Sequence, residues 1–261
     1  RKDERAQGGC EIKGENLTIF LDSVGEPTSH PDFAKLVKNL RKIPQIKDII
    51  TITNGTLLTK EKIDSLEKAK LTRINLSVHS LNKEKARSLF GMPNYEIEKI
   101  LETIRYIKKS KIDLMLTPVW IPKINDQDIE EIIKFCKNNN IKIGLQKYET
   151  YSNSRKLKGS KPINYWRFNE QIKKWEKTYD IKLKFKNEDL NFEKRQRIPE
   201  IFNIGDKINV KLACPGWFPD QMIGISNNRC ITINNCHKEI NDFIPVKIVQ
   251  NKNNIYIAEA M

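Results

Sequence analysis

Five short β-branched runs alternate with four stretches of helical periodicity over residues 17–150 and leave few folds open. The runs are LTIFLDS (17–23), DIITIT (48–53), RINLSVH (73–79), DLMLTPVW (113–120) and IKIGLQKY (141–148). Between them apolar residues recur at helical spacing over 31–42, 60–70, 83–109 and 126–139. Strands alternating with helices build parallel βα units, because a parallel pair needs a long crossover that a helix supplies. In an α/β barrel the loops leaving the strands gather at one face, where the chemistry sits. Here those loops hold Gly25, Pro27, Asn54, Gly55, Asn82, Pro122 and Asn125.

The pattern changes after the fifth run. YSNSRKLKGSKP (151–162) is a basic connector, NYWRFNEQIKKWEKTYD (164–180) reads as a helix, and IKLKF (181–185) as a short strand. Beyond residue 207 the segments KINVKLAC, QMIGIS, CITIN, IPVKIVQ and IYIAEA are separated by Pro-Gly, Asn-Asn and Asn-Lys-Asn-Asn turns. Short strands at this spacing predict a small all-β barrel. The expected organisation is an α/β barrel over 1–150, a basic connector with a helix over 151–200, and the small barrel over 201–261.

Charge narrows the partners. The 261 residues hold 47 Lys and Arg against 33 Asp and Glu, a net charge of +14. Residues 151–200 alone hold 14 against 7, net +7, whereas 201–261 hold 6 against 5. A basic segment interleaved with Tyr151, Tyr165, Trp166 and Trp175 makes RNA a candidate partner, with Arg155, Lys156, Lys158 and Lys161 as its contacts. Phe168, Ile172 and Trp175 recur at i, i+4 and i+7, which reads as a helix core.

No run of 18 apolar residues exists and the first ten residues contain no apolar signal region, so a membrane partner is not expected and the location is read as cytoplasmic. Five cysteines, at 10, 136, 214, 230 and 236, are scattered and odd in number, which argues against a disulfide framework. Cys136 falls in a helical pattern as a core residue. Cys230, Cys236 and His237 match no common zinc spacing.

Three successive strands end in polar groups, which packing alone does not require. The first runs into Gly25-Glu26-Pro27, where glycine admits a close approach, the carboxylate accepts from an ammonium and proline stiffens the exit. The second ends in TNGTLL, with Asn54 and Gly55 as a turn pair. The third ends in NLSVHSLN, placing Ser77 and His79 on one face by the period of two, with Ser80 next.

With INLSVHSLNKEKARSLFG and PVWIPKIND following, these elements resemble those of the radical S-adenosylmethionine superfamily. Residues 17–261 resemble an archaeal group within it that ends in a TRAM-like β-barrel, through GDKINVKLACPGWF and NNIYIAEA. The resemblance implies a partial (βα)6 barrel lacking its first strand, followed by a small all-β barrel. It implies that Gly25, Glu26 and Pro27 meet the methionine amino group of S-adenosyl-L-methionine. Asn54, Gly55, Ser77, Ser80, Pro118 and Gln146 lie where members line the cofactor pocket, and His79 is a further candidate. Val24 stands where many members have Gly or Gln.

Members also hold a [4Fe-4S] cluster on a C-x3-C-x2-C motif, which this sequence does not contain. The cluster ligands are expected upstream of residue 1, and this chain alone is expected to be inactive. The implied activity is generation of a 5′-deoxyadenosyl radical to modify a substrate, RNA among the candidates, with a reductant protein as partner. The alternatives are a non-catalytic RNA-binding protein on an α/β scaffold, and an ordinary α/β-barrel enzyme using Glu26 as acid or base.

Overall fold

The computed structural model describes residues 14–23, 25–150, 156–185, 188–190 and 197–261. Two units divide the chain, Arg1–Lys194 and Arg195–Met261. Cys10, Val24, Tyr151 and Arg155 lie outside the described residues.

The first unit is built on a parallel sheet. Strands β1 (Leu17–Leu21), β2 (Ile46–Thr53), β3 (Arg73–Leu76), β4 (Asp113–Leu116) and β6 (Lys142–Ile143) lie in the order β1-β2-β3-β4-β6. A two-stranded parallel extension pairs β5 (Val119–Trp120) with β7 (Gln146–Lys147), in register Val119 to Gln146. All five expected strand regions are present. No described strand pairs with the outer edge of β1.

Helices α1 (Phe33–Leu40), α2 (Lys60–Lys68), α3 (Lys83–Phe90), α4 (Ile97–Ile107), α5 (Asp126–Asn138) and α6 (Tyr165–Tyr179) complete the unit. Their starts are written locally. Thr59 accepts the Lys62 N–H at 3.2 Å, Asn82 that of Lys85 at 3.0 Å and Asn164 that of Arg167 at 2.9 Å, each satisfying a donor that the first helical turn leaves free.

The single helix expected over 83–109 is two. Gly91 ends α3 in the left-handed region (φ 66°) and Pro93 follows two residues later, a combination that stops a helix. IKLKF forms no strand. The Leu183 and Lys184 N–H groups both donate to Glu176 Oε1 at 2.8 Å, so a side chain takes the donors that a ladder would use.

Side-chain alternation gives the sheet two unlike faces. Ile74, Leu76, Leu116 and Ile143 are fully buried on the face that packs in the main core with Ile100, Ile104 and Ile132. Each such side chain contributes about 1.5–3 kcal/mol on burial. The other face carries Phe20, Arg73, Asn75, Met115, Thr117 and Gly144, which line a cavity of about 520 Å³. Phe168, Ile172 and Trp175 of α6 are buried, as their spacing predicts, while Tyr165 and Trp166 are exposed.

The second unit is a closed barrel in the order β10-β12-β11-β8-β9. Its strands are β8 (Lys207–Pro215), β9 (Met222–Ser226), β10 (Arg229–Asn234), β11 (Phe243–Gln250) and β12 (Tyr256–Ala260). Neighbours pair antiparallel except β10 and β12, whose parallel pairing (Ile231 to Tyr256) closes the ring. Closure removes free edges. Val210, Leu212, Ile231, Ile233, Val246 and Ile248 fill the interior. A Cβ at Gly224 would stand 2.9 Å from Ile233 Cδ1, which keeps that position small.

Candidate functional site

The carboxyl end of β1 is fastened to that of β2 through one side chain. Glu26 caps the short turn Pro27–Ser29 from an extended backbone (φ −93°, ψ 108°). Its Oε1 accepts the Thr28 N–H at 3.1 Å, the Thr28 hydroxyl at 2.5 Å and the Thr53 hydroxyl at 2.6 Å. Its Oε2 accepts the Asn54 N–H at 2.9 Å. A carboxylate offers about four acceptor positions. Oε1 is saturated, so an external donor meets Glu26 at Oε2.

Around it the turn is shaped by the backbone. Asn54 Oδ1 accepts the Thr56 N–H and hydroxyl at 2.9 and 2.7 Å, closing a tight loop. Gly55 has φ +79° and a Cβ there would stand 2.6 Å from Leu76 Cδ1, so both conformation and space demand glycine. A Cβ at Gly25 would meet nothing within 4 Å. The protein's own packing does not require glycine at that position.

The β3 exit brings Ser77 and His79 to the same rim. The Ser77 N–H donates to the Thr53 carbonyl at 2.9 Å. His79 is half-buried, stacks on Phe90 at 4.5 Å, and accepts the Val119 N–H on Nδ1 at 3.2 Å. Burial pulls its pKa down to about 4. The ring is therefore neutral at pH 7 with its proton on Nε2, a donor at the rim. His79, Phe90, Val119, Gln146, Lys147 and Tyr148 line a second cavity of about 400 Å³.

Gln146 is exposed and borders both cavities, and its N–H donates to the carbonyl of buried Pro118 at 2.9 Å. Ser80 is turned elsewhere. It is fully buried, its hydroxyl donates to Asp128 of α5, and it accepts the Asn82 N–H at 3.0 Å. The structure thus gathers Glu26, Asn54, Ser77, His79 and Gln146 along the strand ends and engages Ser80 with a helix.

Several supporting residues escape sequence reading. Thr28 and Thr53 fix Glu26, and Asn125 brackets β5. Asn125 donates to the Val119 carbonyl at 3.0 Å and accepts the Ile121 N–H at 2.7 Å while only 1% exposed. Lys147, with a side chain 7% exposed, pairs with Glu149 at 2.6 Å and lies 4.9 Å from the Tyr165 ring. The only sequence signal was proximity: Thr53 precedes Asn54, and Asn125 lies in PVWIPKIND. Lys156, Lys158 and Lys161 are exposed.

The described cysteines do not make a cluster site. Cys136 is buried in α5, its thiol pushed up to about 12 by burial. Cys214 and Cys230 lie on β8 and β10, on either side of β9, and Cys236 follows β10. Among the described residues no group of three His, Cys, Asp or Glu side chains could hold a metal ion. No helix among them is long and apolar enough to cross a membrane.

Residues 11–136 match the sequence profile of the Radical SAM superfamily. The chain is 33% identical over 269 aligned positions to the uncharacterized protein MJ0103 of Methanocaldococcus jannaschii, covering 93% of this chain and 62% of that one. It is 33% identical over 124 residues to the GTP 3′,8-cyclase of Aquifex aeolicus, covering 48% of this chain and 38% of the cyclase. The structure of Streptococcus suis SuiB bound to S-adenosylmethionine superposes with a TM-score of 0.54 at 20% identity, over 71% of this chain and 42% of SuiB. That likeness is one of fold. The chain spans less than two thirds of the length of each of these relatives.

Proposed function

We propose, from the premise that this chain carries a radical SAM superfamily domain, that the strand-end rim of its α/β unit binds S-adenosyl-L-methionine for a radical enzyme. The observation that carries this reading is the fastening of Glu26 to Thr53 and Asn54, which holds Oε2 at the rim as an acceptor for an ammonium. Proteins of this superfamily use S-adenosyl-L-methionine for hydrogen-atom abstraction through a 5′-deoxyadenosyl radical. The residues present suit the cofactor's polar groups. Glu26 accepts from the amine, the neutral His79 donates through Nε2, and Ser77 and Gln146 offer further polar contacts at the rim.

The described cysteines do not suit a [4Fe-4S] cluster, so no step is assigned to them. Titration of S-adenosyl-L-methionine into the chain, followed by amide resonances, tests the rim. Saturable shifts confined to Glu26, Thr53–Gly55 and Ser77–His79 are expected. Shifts elsewhere, with this rim unmoved, would remove the assignment.

A second reading concerns RNA. Tyr165 and Trp166 are 66% and 69% exposed on α6, in the same basic segment as exposed Lys156, Lys158 and Lys161. Exposed rings with cations nearby in sequence suit stacking and phosphate contact. RNA affinity should fall with salt, and replacing the three lysines should flatten the salt slope by roughly 2 units. Anisotropy titrations near 50 mM salt that show no RNA binding would leave the segment as solvated surface.

A further inference from the structure

We infer that the inner face of the α/β sheet binds the anionic end of a small substrate, with Arg73 as the group that receives it. This deepens the reading of the rim as a cofactor site, on which its substrate role rests.

Arg73 is 7% exposed at the first position of β3. Its Nε donates to Asn75 Oδ1 at 3.1 Å, which fixes the plane of the guanidinium. Its two Nη groups make no hydrogen bond or ion pair with any described residue. Asp113 stands opposite Arg73 in the β3–β4 register, yet it pairs with Lys142 at 3.5 Å, and neither it nor Asp48 reaches ion-pair distance of Arg73. Arginine stays charged at any accessible pH, so a mostly buried cation, with Asp113 and Asp48 acting on it only at longer range, lines this cavity with Nη donors free to take a ligand.

A second orphan lies in the same space. Thr117 is 4% exposed and its hydroxyl has no hydrogen-bond partner. Arg73, Asn75 and Thr117 all line the cavity of about 520 Å³, whose other walls include Phe20, Met115 and Phe168. That volume and the balance of apolar wall with a few polar groups are those of a small-molecule site. The fork of a guanidinium matches the two oxygens of a carboxylate or of a phosphate, and a hydroxyl adds a third contact.

Position gives the ligand its length. On this face residues climb two at a time from Arg73 through Asn75 to Ser77, so Arg73 lies about 13 Å below the rim. A metabolite-sized acid with its anion on Arg73 would present its far end at the strand ends.

The test uses the 261-residue chain with inorganic phosphate and acetate as separate probes. The Arg73 Nε–H resonance is followed at constant sodium chloride. A saturable shift is expected, with phosphate or acetate saturating first according to which oxyanion the site prefers. Arg73→Gln should weaken binding about tenfold or more, and Thr117→Val about threefold. Should Arg73→Gln fail to fold, the Arg73 shift in wild type and its weakening in Thr117→Val decide the matter. No saturable Arg73 shift with either probe, or unchanged affinity in Thr117→Val, overturns the proposal. A separate titration with S-adenosyl-L-methionine, read at the rim resonances, reports the cofactor site, so failure of either site is seen separately.

Discussion

Glu26 and Asn54, 28 residues apart, are joined by a 2.9 Å hydrogen bond from the Asn54 N–H to the Glu26 carboxylate. The same carboxylate takes the Thr53 hydroxyl, so one side chain ties the turn after β1 to the exit of β2. Glu26→Gln replaces one acceptor oxygen with an amide that faces donors. The variant should lose about 1–3 kcal/mol of stability through the unsatisfied contact, and S-adenosyl-L-methionine affinity should fall with it. Urea unfolding and calorimetric titration measure the two effects. A variant with wild-type stability would show that the four-donor geometry is not held in solution.

Gly55 carries the next expectation. Alanine there must adopt φ +79° and place a Cβ 2.6 Å from Leu76 Cδ1. Backbone strain and overpacking together should cost about 2–4 kcal/mol. Gly25→Ala meets open space and should change stability by less than about 1 kcal/mol. Equal melting shifts for the two variants would contradict this contrast.

His79 gives a pH dependence with a definite sign. Its folded pKa of about 4 lies below the ordinary 6.5, so the unfolded chain binds the proton more readily. The stability of the neutral form is fully present above about pH 6.5 and declines as pH falls toward 4. The loss should be on the order of 2 kcal/mol, since a half-buried ring keeps part of its hydration. His79→Gln keeps an acceptor for the Val119 N–H without titrating. Its urea midpoint should fall less over the same window. Parallel curves for wild type and variant would take His79 out of the acid response.

The strands were legible because β-branched runs and their spacing are local signals. Boundaries were less so. Gly91 with Pro93 is a stop signal that the apolar periodicity on both sides masks, and the left-handed backbone at Gly91 fixes where the helix ends. The polar strand ends pointed to the rim, but the Thr53 contact to Glu26 spans 27 residues, beyond any periodic pattern. Arg73 illustrates the same limit. A charged residue opening a strand looks like a solvated end; the period of two aligns it with Ser77, and the register beside Ile50 and Asp113 turns that face inward.

The cysteines carry the last expectation. A [4Fe-4S] cluster needs several thiolates converging on one cube. Cys136 is an inert core thiol, while Cys214 and Cys230 flank β9, which puts their strands about 9.6 Å apart. Even with Cys10, which lies outside the described residues, three ligands would require two of Cys136, Cys214, Cys230 and Cys236 to meet. Anaerobic reconstitution of the 261-residue chain should therefore yield no stable cluster and no reductive cleavage of S-adenosyl-L-methionine. Alkylation of the native chain should modify exposed Cys230 first and spare buried Cys136 and Cys236. A chain that retains four irons, and loses them when Cys214 or Cys230 is replaced by alanine, would show that these thiols converge despite their separate strands.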